Sequence, residues 1–186
     1  FIHQEYGVRQ LLVEHTHFND PEKREHIRRL LIRAAQQKTI PIVNYNDPVS
    51  DEENRKMELA IRRSHGDQLV ECVDNDETAA VIANLVHAKK LVLMTSTEGI
   101  YRDPADPKTL VEQVTAKSME ELEEKVRQLQ ESCVGASRAG ANGAKAKLEY
   151  ALKSARQGTM VIIGHARHRL SDLVEGRVAC TRIGLE

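Results

Sequence analysis

The chain has 186 residues, a formal net charge of −1, 3% aromatic residues and no tryptophan. The near-balanced charge argues against wholesale binding of nucleic acid or of an anionic membrane surface, and so few aromatics argue against a stacking platform for single-stranded nucleic acid. No apolar run approaches the roughly 20 residues of a membrane span, no signal peptide is legible in the polar N-terminal residues, and Cys72, Cys133 and Cys180 form no CxxC pair, so the expectation is a cytoplasmic protein with reduced thiols.

Residues 1–186 are of a length that suits a single domain. Phe1 to Gly7 reads as the tail of a helix closed by a glycine cap, and a natural chain seldom begins inside an element, so a segment upstream of Phe1 is expected. Gln10 to Glu14 reads as a short buried strand. Asn19-Asp20-Pro21 signals a helix start, and Ile27, Leu30, Leu31 and Ala34 fall on one face of a helix over about 22–37. Thr39 to Asn44 is a second strand, in which Pro41 predicts an edge position or a start after the proline. A helix is expected from the acidic Ser50–Glu53 start to about Arg63, and a strand over 68–73. Helix 77–88 and the apolar strand Lys90–Thr95 follow. Residues 97–110 read as a loop. Ser118-Met119-Glu120-Glu121 resembles a capping box that opens a helix to about Ser132. A small-residue loop over 135–143, a helix over about 143–157, a strand at 160–164, a short helix near 171–174 and a strand near 178–181 complete the chain. Strands alternate with helices, which predicts an α/β fold with a largely parallel sheet.

Four polar clusters sit where strand-like runs end. Small residues from Gly140 to Gly143 let backbone amides approach an anion, the helix that follows adds its positive end, and Lys145 and Lys147 add charge. The spacing is not that of a Walker loop, and the competing reading is a flexible loop entering a surface helix. Asp74-Asn75-Asp76 lies between a strand and a helix. In an extended segment the two carboxylates face one way and Asn75 the other; helix capping is the alternative. Asn44 and Asn46-Asp47 supply hydrogen-bonding groups suited to an amino acid, though Asn-Asp-Pro is also an ordinary turn. Thr95 to Tyr101 leaves the most apolar strand and suits a nucleotide pocket or a simple strand exit. His15 and His17 alternate without a third nearby ligand, so no metal site is assigned. His165 and His168 read as loop residues.

Taken in order, these clusters resemble the glutamate 5-kinases of the amino acid kinase family. Ile40 to Asp47 looks like that family's strand ending Asn-Glu-Asn-Asp, and Val73 to Asp76 like its Gly-Asp-Asn-Asp. Leu93 to Tyr101 looks like Leu-Leu-Thr-Asp-x-x-Gly-Leu-Tyr, and Gly140 to Ala151 like Gly-Thr-Gly-Gly-Met-x-Thr-Lys-Leu-x-Ala-Ala. The resemblance implies a three-layer α/β/α sandwich, lacking the part of the family domain that would precede Phe1. It implies transfer of the γ-phosphoryl group of ATP to the side-chain carboxylate of glutamate, with Mg²⁺, in proline biosynthesis. By matched position Asp47 and Asn75 would contact glutamate, with Asn44 and Asp74 nearby. Asp76 would orient the lysines that face the phosphates. Thr95, Ser96, Ala141, Asn142, Gly143, Ala144, Lys145, Ala146 and Lys147 would line the ATP site, and Lys147 would neutralise charge on the transferred group. A homodimer or tetramer acting on a small molecule, without nucleic-acid or membrane partners, is implied.

The chain departs from that pattern at Tyr45 (Glu in the family), Val73 (Gly), Ser96 (Asp) and Ala141-Asn142 (Thr-Gly). The alternatives these departures leave are a sensor that binds without turnover, or a kinase for another small acid. The family's Lys-Gly-Ser phosphate-binding strand is not found and would precede Phe1, so these 186 residues alone are expected to show poor or no turnover.

Overall fold

A computed structural model describes residues 5–45, 75–103, 105–132 and 143–186. Its backbone contacts divide the chain into two units, Phe1–Val86 and His87–Glu186.

In the first unit, β1 (Gly7–Val13) pairs in parallel with β2 (Thr39–Tyr45), with Val8 opposite Ile40 and Leu12 opposite Asn44. The connection is α1 (His15–Asn19) followed by α2 (Pro21–Gln36). Asp20 caps α2. Its carboxylate accepts the amide hydrogens of Glu22 at 2.9 Å and Lys23 at 3.1 Å, and Pro21 follows where a missing N–H costs nothing. The Lys23 amide, foremost, holds the Asp20 carboxyl below the ordinary aspartate range. Ile27, Leu31 and Ala34 form the buried stripe of α2. Ile27 and Leu31 join Val13 and Phe18 in a core that Leu11 and Val43 pack against, together with Val81, Ile82 and Leu85 of α3 (Asn75–Leu85) and the following Val86. The alternation of β1 and β2 leaves Val8, Leu12, Ile40 and Ile42 on the other face, exposed.

The second unit holds a four-stranded sheet in the order β3-β5-β6-β4, built from β3 (Lys90–Thr95), β4 (Gln113–Ala116), β5 (Met160–His165) and β6 (Thr181–Leu185). β3 runs parallel to β5 and β4 parallel to β6, while β5 and β6 are antiparallel. Val161, Ile162 and Ile163 are fully buried, as expected of a strand covered on both faces. Ile162 meets Leu173 of α6 (Leu170–Glu175) on one face. α5 (Ala144–Ala155) and α4 (Met119–Ser132) pack on the sheet as well, α5 against β5 and β6, α4 against β4 and β6. The stripe Leu122, Val126 and Leu129 is the buried side of α4. The Ser118 hydroxyl accepts the Glu121 amide at 3.2 Å, as the capping signal predicts; the Glu121 carboxylate reaches back to Lys117 N–H rather than to Ser118. The fold is therefore α/β with mixed, largely parallel pairing.

Four expectations change. Gly7 opens β1, with its amide donating to the Lys38 carbonyl at 3.1 Å, so it closes no helix. Of the two readings of Pro41 the edge position holds: β2 runs through the proline as one of only two paired strands among the described residues of its sheet, and the later start does not hold. The last strand begins at Thr181, three residues beyond the expected start. Asn75 and Asp76 lie inside the first turn of α3, so neither alternates as in a strand nor occupies the cap position. The helix expected near 50–63, the strand near 68–73, and Asp47, Asp74, Cys72, Cys133, Ala141 and Asn142 lie outside the described residues.

Candidate active site

Topology decides which ends of the second unit meet. The Thr159 hydroxyl donates to the Ala88 carbonyl at 2.7 Å, and the Met160 amide donates to Lys89 at 3.0 Å. The C-terminal end of α5 therefore sits at the start of β3, and Gly158, at φ +80°, supplies the left-handed turn that reverses the chain. A helix of 12 residues is about 18 Å long. A strand of six is about 20 Å long. The N-terminus of α5 thus comes level with the carboxyl ends of β3 and β5. This is the edge where open parallel sheets carry ligands, and Thr95, Ser96 and Gly143–Lys147 all belong to it.

The exit from β3 is tightly tied. The Thr95 carbonyl accepts the Ala166 amide at 2.8 Å. The Thr95 hydroxyl accepts the Thr97 amide at 2.9 Å, and the Thr97 hydroxyl donates to the Gly99 carbonyl at 3.1 Å. Such hydroxyl-to-backbone bonds close tight loops, and Ser96 is exposed on this one. A Cβ on Gly99 would fall 2.4 Å from Thr181 Oγ1 and 2.9 Å from Thr181 N, so glycine is required there. The buried Thr181 hydroxyl accepts the Ile100 amide at 2.8 Å and donates to the Val111 carbonyl at 2.6 Å.

Gly143 takes the cap position of α5, and the amides of Ala146 and Lys147 return to its carbonyl at 3.1 and 3.3 Å. The leading amides of a helix and its macrodipole favour an anion. At 100° per residue the two lysines do not share a face. Lys147 aligns with the buried Tyr150, Ala151 and Ser154 and is itself half-buried; Lys145 is exposed and aligns with Glu149, which pairs with Lys153 at 2.8 Å. Ala144 and Ala146 keep the first turn narrow beside them.

In the first unit Asn44 is exposed near the end of β2, on the same face as Leu12, Ile40 and Ile42. Asn75 is exposed and Asp76 half-buried at the start of α3. A cleft of about 900 Å³ runs along α2, lined by Leu11, His17, His26, Arg29 and neighbours, and none of the expected site residues lines it. His17 belongs to α1, and its Nδ1 accepts the Glu14 amide at 3.1 Å, a capping role rather than ligation. Among the described residues no group of three or more His, Cys, Asp or Glu is arranged to hold a metal ion, and no helix is long and apolar enough to cross a membrane.

In the sequence Glu98 falls in the Thr95–Tyr101 cluster and His168 in a loop, but nothing there pairs them or singles out Arg167 or Thr181. Glu98 is 17% exposed at its side chain; it pairs with Arg167 and lies 2.6 Å from His168 Nε2. The partners are 70 positions apart, so no local spacing announces them.

The family model described as "Amino acid kinase family" matches residues 3–165. A glutamate 5-kinase of Geobacillus kaustophilus (strain HTA426) is 30% identical over 97% of this chain and 43% of its own length. A glutamate 5-kinase of Chromobacterium violaceum is 28% identical over 96% of this chain and 44% of its own. The chain thus spans less than half the length of the curated relatives it matches. The solved structure of project APE1968 from Aeropyrum pernix K1 aligns at a TM-score of 0.49 and 18% identity, covering 86% of this chain and 45% of that one, a fit too loose to carry an argument. The match over residues 3–165 establishes that the chain belongs to the amino acid kinase family.

Proposed function

We propose that the chain takes part in ATP-dependent phosphorylation of an amino-acid carboxylate, with glutamate as the acceptor and glutamyl 5-phosphate as the product. What supports this reading is that the β3 exit and the α5 N-terminus point to the same edge of one sheet, where a polyphosphate would find both backbone amides and a lysine. The curated relatives, named glutamate 5-kinase, support the acceptor. The family match crosses the unit boundary at residue 86, which supports reading residues 1–186 as one kinase-like domain.

In the proposed step an acceptor carboxylate oxygen bonds to the γ-phosphorus of ATP. The bond from that phosphorus to the β–γ bridging oxygen breaks, and ADP leaves with the electron pair. No proton need move. The protein's task is position and charge. Thr95, Ser96 and the start of α5 hold the nucleotide, and Lys147 balances charge on the group in flight. By sequence match alone, Asn44, Asp47, Asp74 and Asn75 would serve the amino acid and Asp76 would orient charge. Mg²⁺ is read as arriving with its nucleotide, as MgATP. Residence in the cytoplasm and a place in proline biosynthesis follow from the same reading.

Calorimetric titration of MgATP into the protein, followed by an assay of ADP release with and without glutamate, tests it. Saturable MgATP binding is expected, with at most slow glutamate-dependent ADP release from these 186 residues alone. Absence of MgATP binding would overturn the proposal. A second reading, a sensor that binds without turnover, draws on Ser96, where the family resemblance expects an aspartate. Binding of both ligands without ADP would favour it.

A further inference from the structure

We propose that Glu98, clasped by Arg167 and His168, is a positioning residue that fixes the β3 exit loop for the nucleotide. The inference rests on the nucleotide site proposed above. Three features of the second unit lead to it.

First, the loop between Thr95 and Gly99 is held at both ends by one turn, His165 to His168, at the carboxyl end of β5. The Ala166 amide holds the Thr95 carbonyl at 2.8 Å, and three residues later the Glu98 carboxylate meets Arg167 and His168. Ser96 and Thr97 are spanned between these ties.

Second, the turn is itself organised. His165 Nδ1 accepts the Arg167 amide at 3.0 Å, and the His168 amide donates to the His165 carbonyl at 3.0 Å. The two histidine rings stand edge to face with centroids 6.3 Å apart. The His168 ring is therefore aimed before it meets Glu98.

Third, the clasp is more than a solvated surface pair. The side chains of Glu98 and His168 are 17% and 20% exposed, although that of Arg167 is 64% exposed. Exposed pairs contribute little to stability. A carboxylate with both oxygens engaged and partly withdrawn from water is the stronger case, and it fixes direction as well as distance. The clasp lies at the sheet edge shared by Thr95, Ser96 and the α5 N-terminus, so its geometric effect falls on the nucleotide side.

The expected signature separates positioning from bulk stability. Glu98→Ala should weaken MgATP binding about tenfold, the loss typical of a charge-assisted hydrogen bond. Glu98→Gln keeps an acceptor and should weaken it about threefold. His168→Ala should act in the same direction, and Glu98→Ala with His168→Ala should be no worse than Glu98→Ala alone, because the two share one contact. Arg156→Ala is the control. It breaks the pair with Glu123 at 2.9 Å, at the far end of α5, and should alter thermal stability alone. All are measured by calorimetry with MgATP, below each variant's unfolding range. Should Glu98→Ala fail to fold, the graded loss in Glu98→Gln and His168→Ala carries the test. MgATP affinity in the Glu98 and His168 variants within twofold of the parent, with the parent binding normally, overturns this inference alone. A parent chain that does not bind MgATP overturns the functional reading, and this inference with it.

Discussion

Thr181→Val removes one hydroxyl from the second unit and keeps the side chain's shape. Thr181 is fully buried, and its hydroxyl serves two loops at once, accepting the Ile100 amide at 2.8 Å and donating to the Val111 carbonyl at 2.6 Å. Valine strands both groups. Ile100 is 2% exposed, so no water replaces its lost acceptor easily. A stranded buried amide costs about 1–3 kcal/mol, and the lost carbonyl contact about 1 kcal/mol more. The expected destabilisation is therefore about 2–4 kcal/mol. Thr181→Ser keeps both hydrogen bonds and loses one methyl group, about 1 kcal/mol. The chain has no tryptophan, so urea unfolding is followed by far-ultraviolet circular dichroism. The same hydroxyl packs against Gly99, so MgATP affinity should fall in the valine variant and hold in the serine variant. Equal stability of the two variants, or a valine variant within about 0.5 kcal/mol of the parent, would refute the claim that this hydroxyl pins the exit loop.

Other consequences are direct. Lys145→Met should leave turnover within a few-fold of the parent, since Lys145 lies on the exposed side of α5; steady-state kinetics at saturating MgATP reads this. Asp20→Asn keeps a capping side chain and removes a titrating one. The folded-state pKa of Asp20 is depressed, so its charged form stabilises the fold above the ordinary aspartate value, about 3.9, and that contribution is lost as pH falls through the lower folded value. Thermal melts from pH 6 to pH 3 should therefore show the parent losing stability faster than Asp20→Asn below about pH 4; parallel curves would contradict the assignment.

Much of this architecture was legible because local signals were strong. Asp20-Pro21 and Ser118 announce their helices through caps, and the stripe Ile27, Leu31 and Ala34 announces the buried face of α2. β3 and β5 are apolar runs bounded by turn residues. β4 escaped because it is four residues long and follows a loop rich in Asp and Pro, with only Val114 and Ala116 turned inward. α1 escaped because five residues carry no helical period. Parallel pairing was legible in the alternation of strands and helices, but its exception was not: the antiparallel pairing of β6 with β5 depends on contacts between residues about 20 apart. At the candidate site, the small-residue entry to α5 and the threonine at the end of β3 carry recognisable chemistry. The Glu98 clasp does not, since a glutamate in a loop and a histidine in a turn are each unremarkable until the fold brings them to 2.6 Å.

The measurement closest to the central claim is glutamate-dependent ADP release by the parent and by Lys147→Met, with MgATP affinity taken on the same samples. The account predicts that whatever slow ADP release the parent shows falls on the order of 10²–10³ in Lys147→Met, with nucleotide affinity reduced far less. Equal turnover in the two proteins would contradict the role given to Lys147. A parent that does not bind MgATP would contradict the nucleotide site itself.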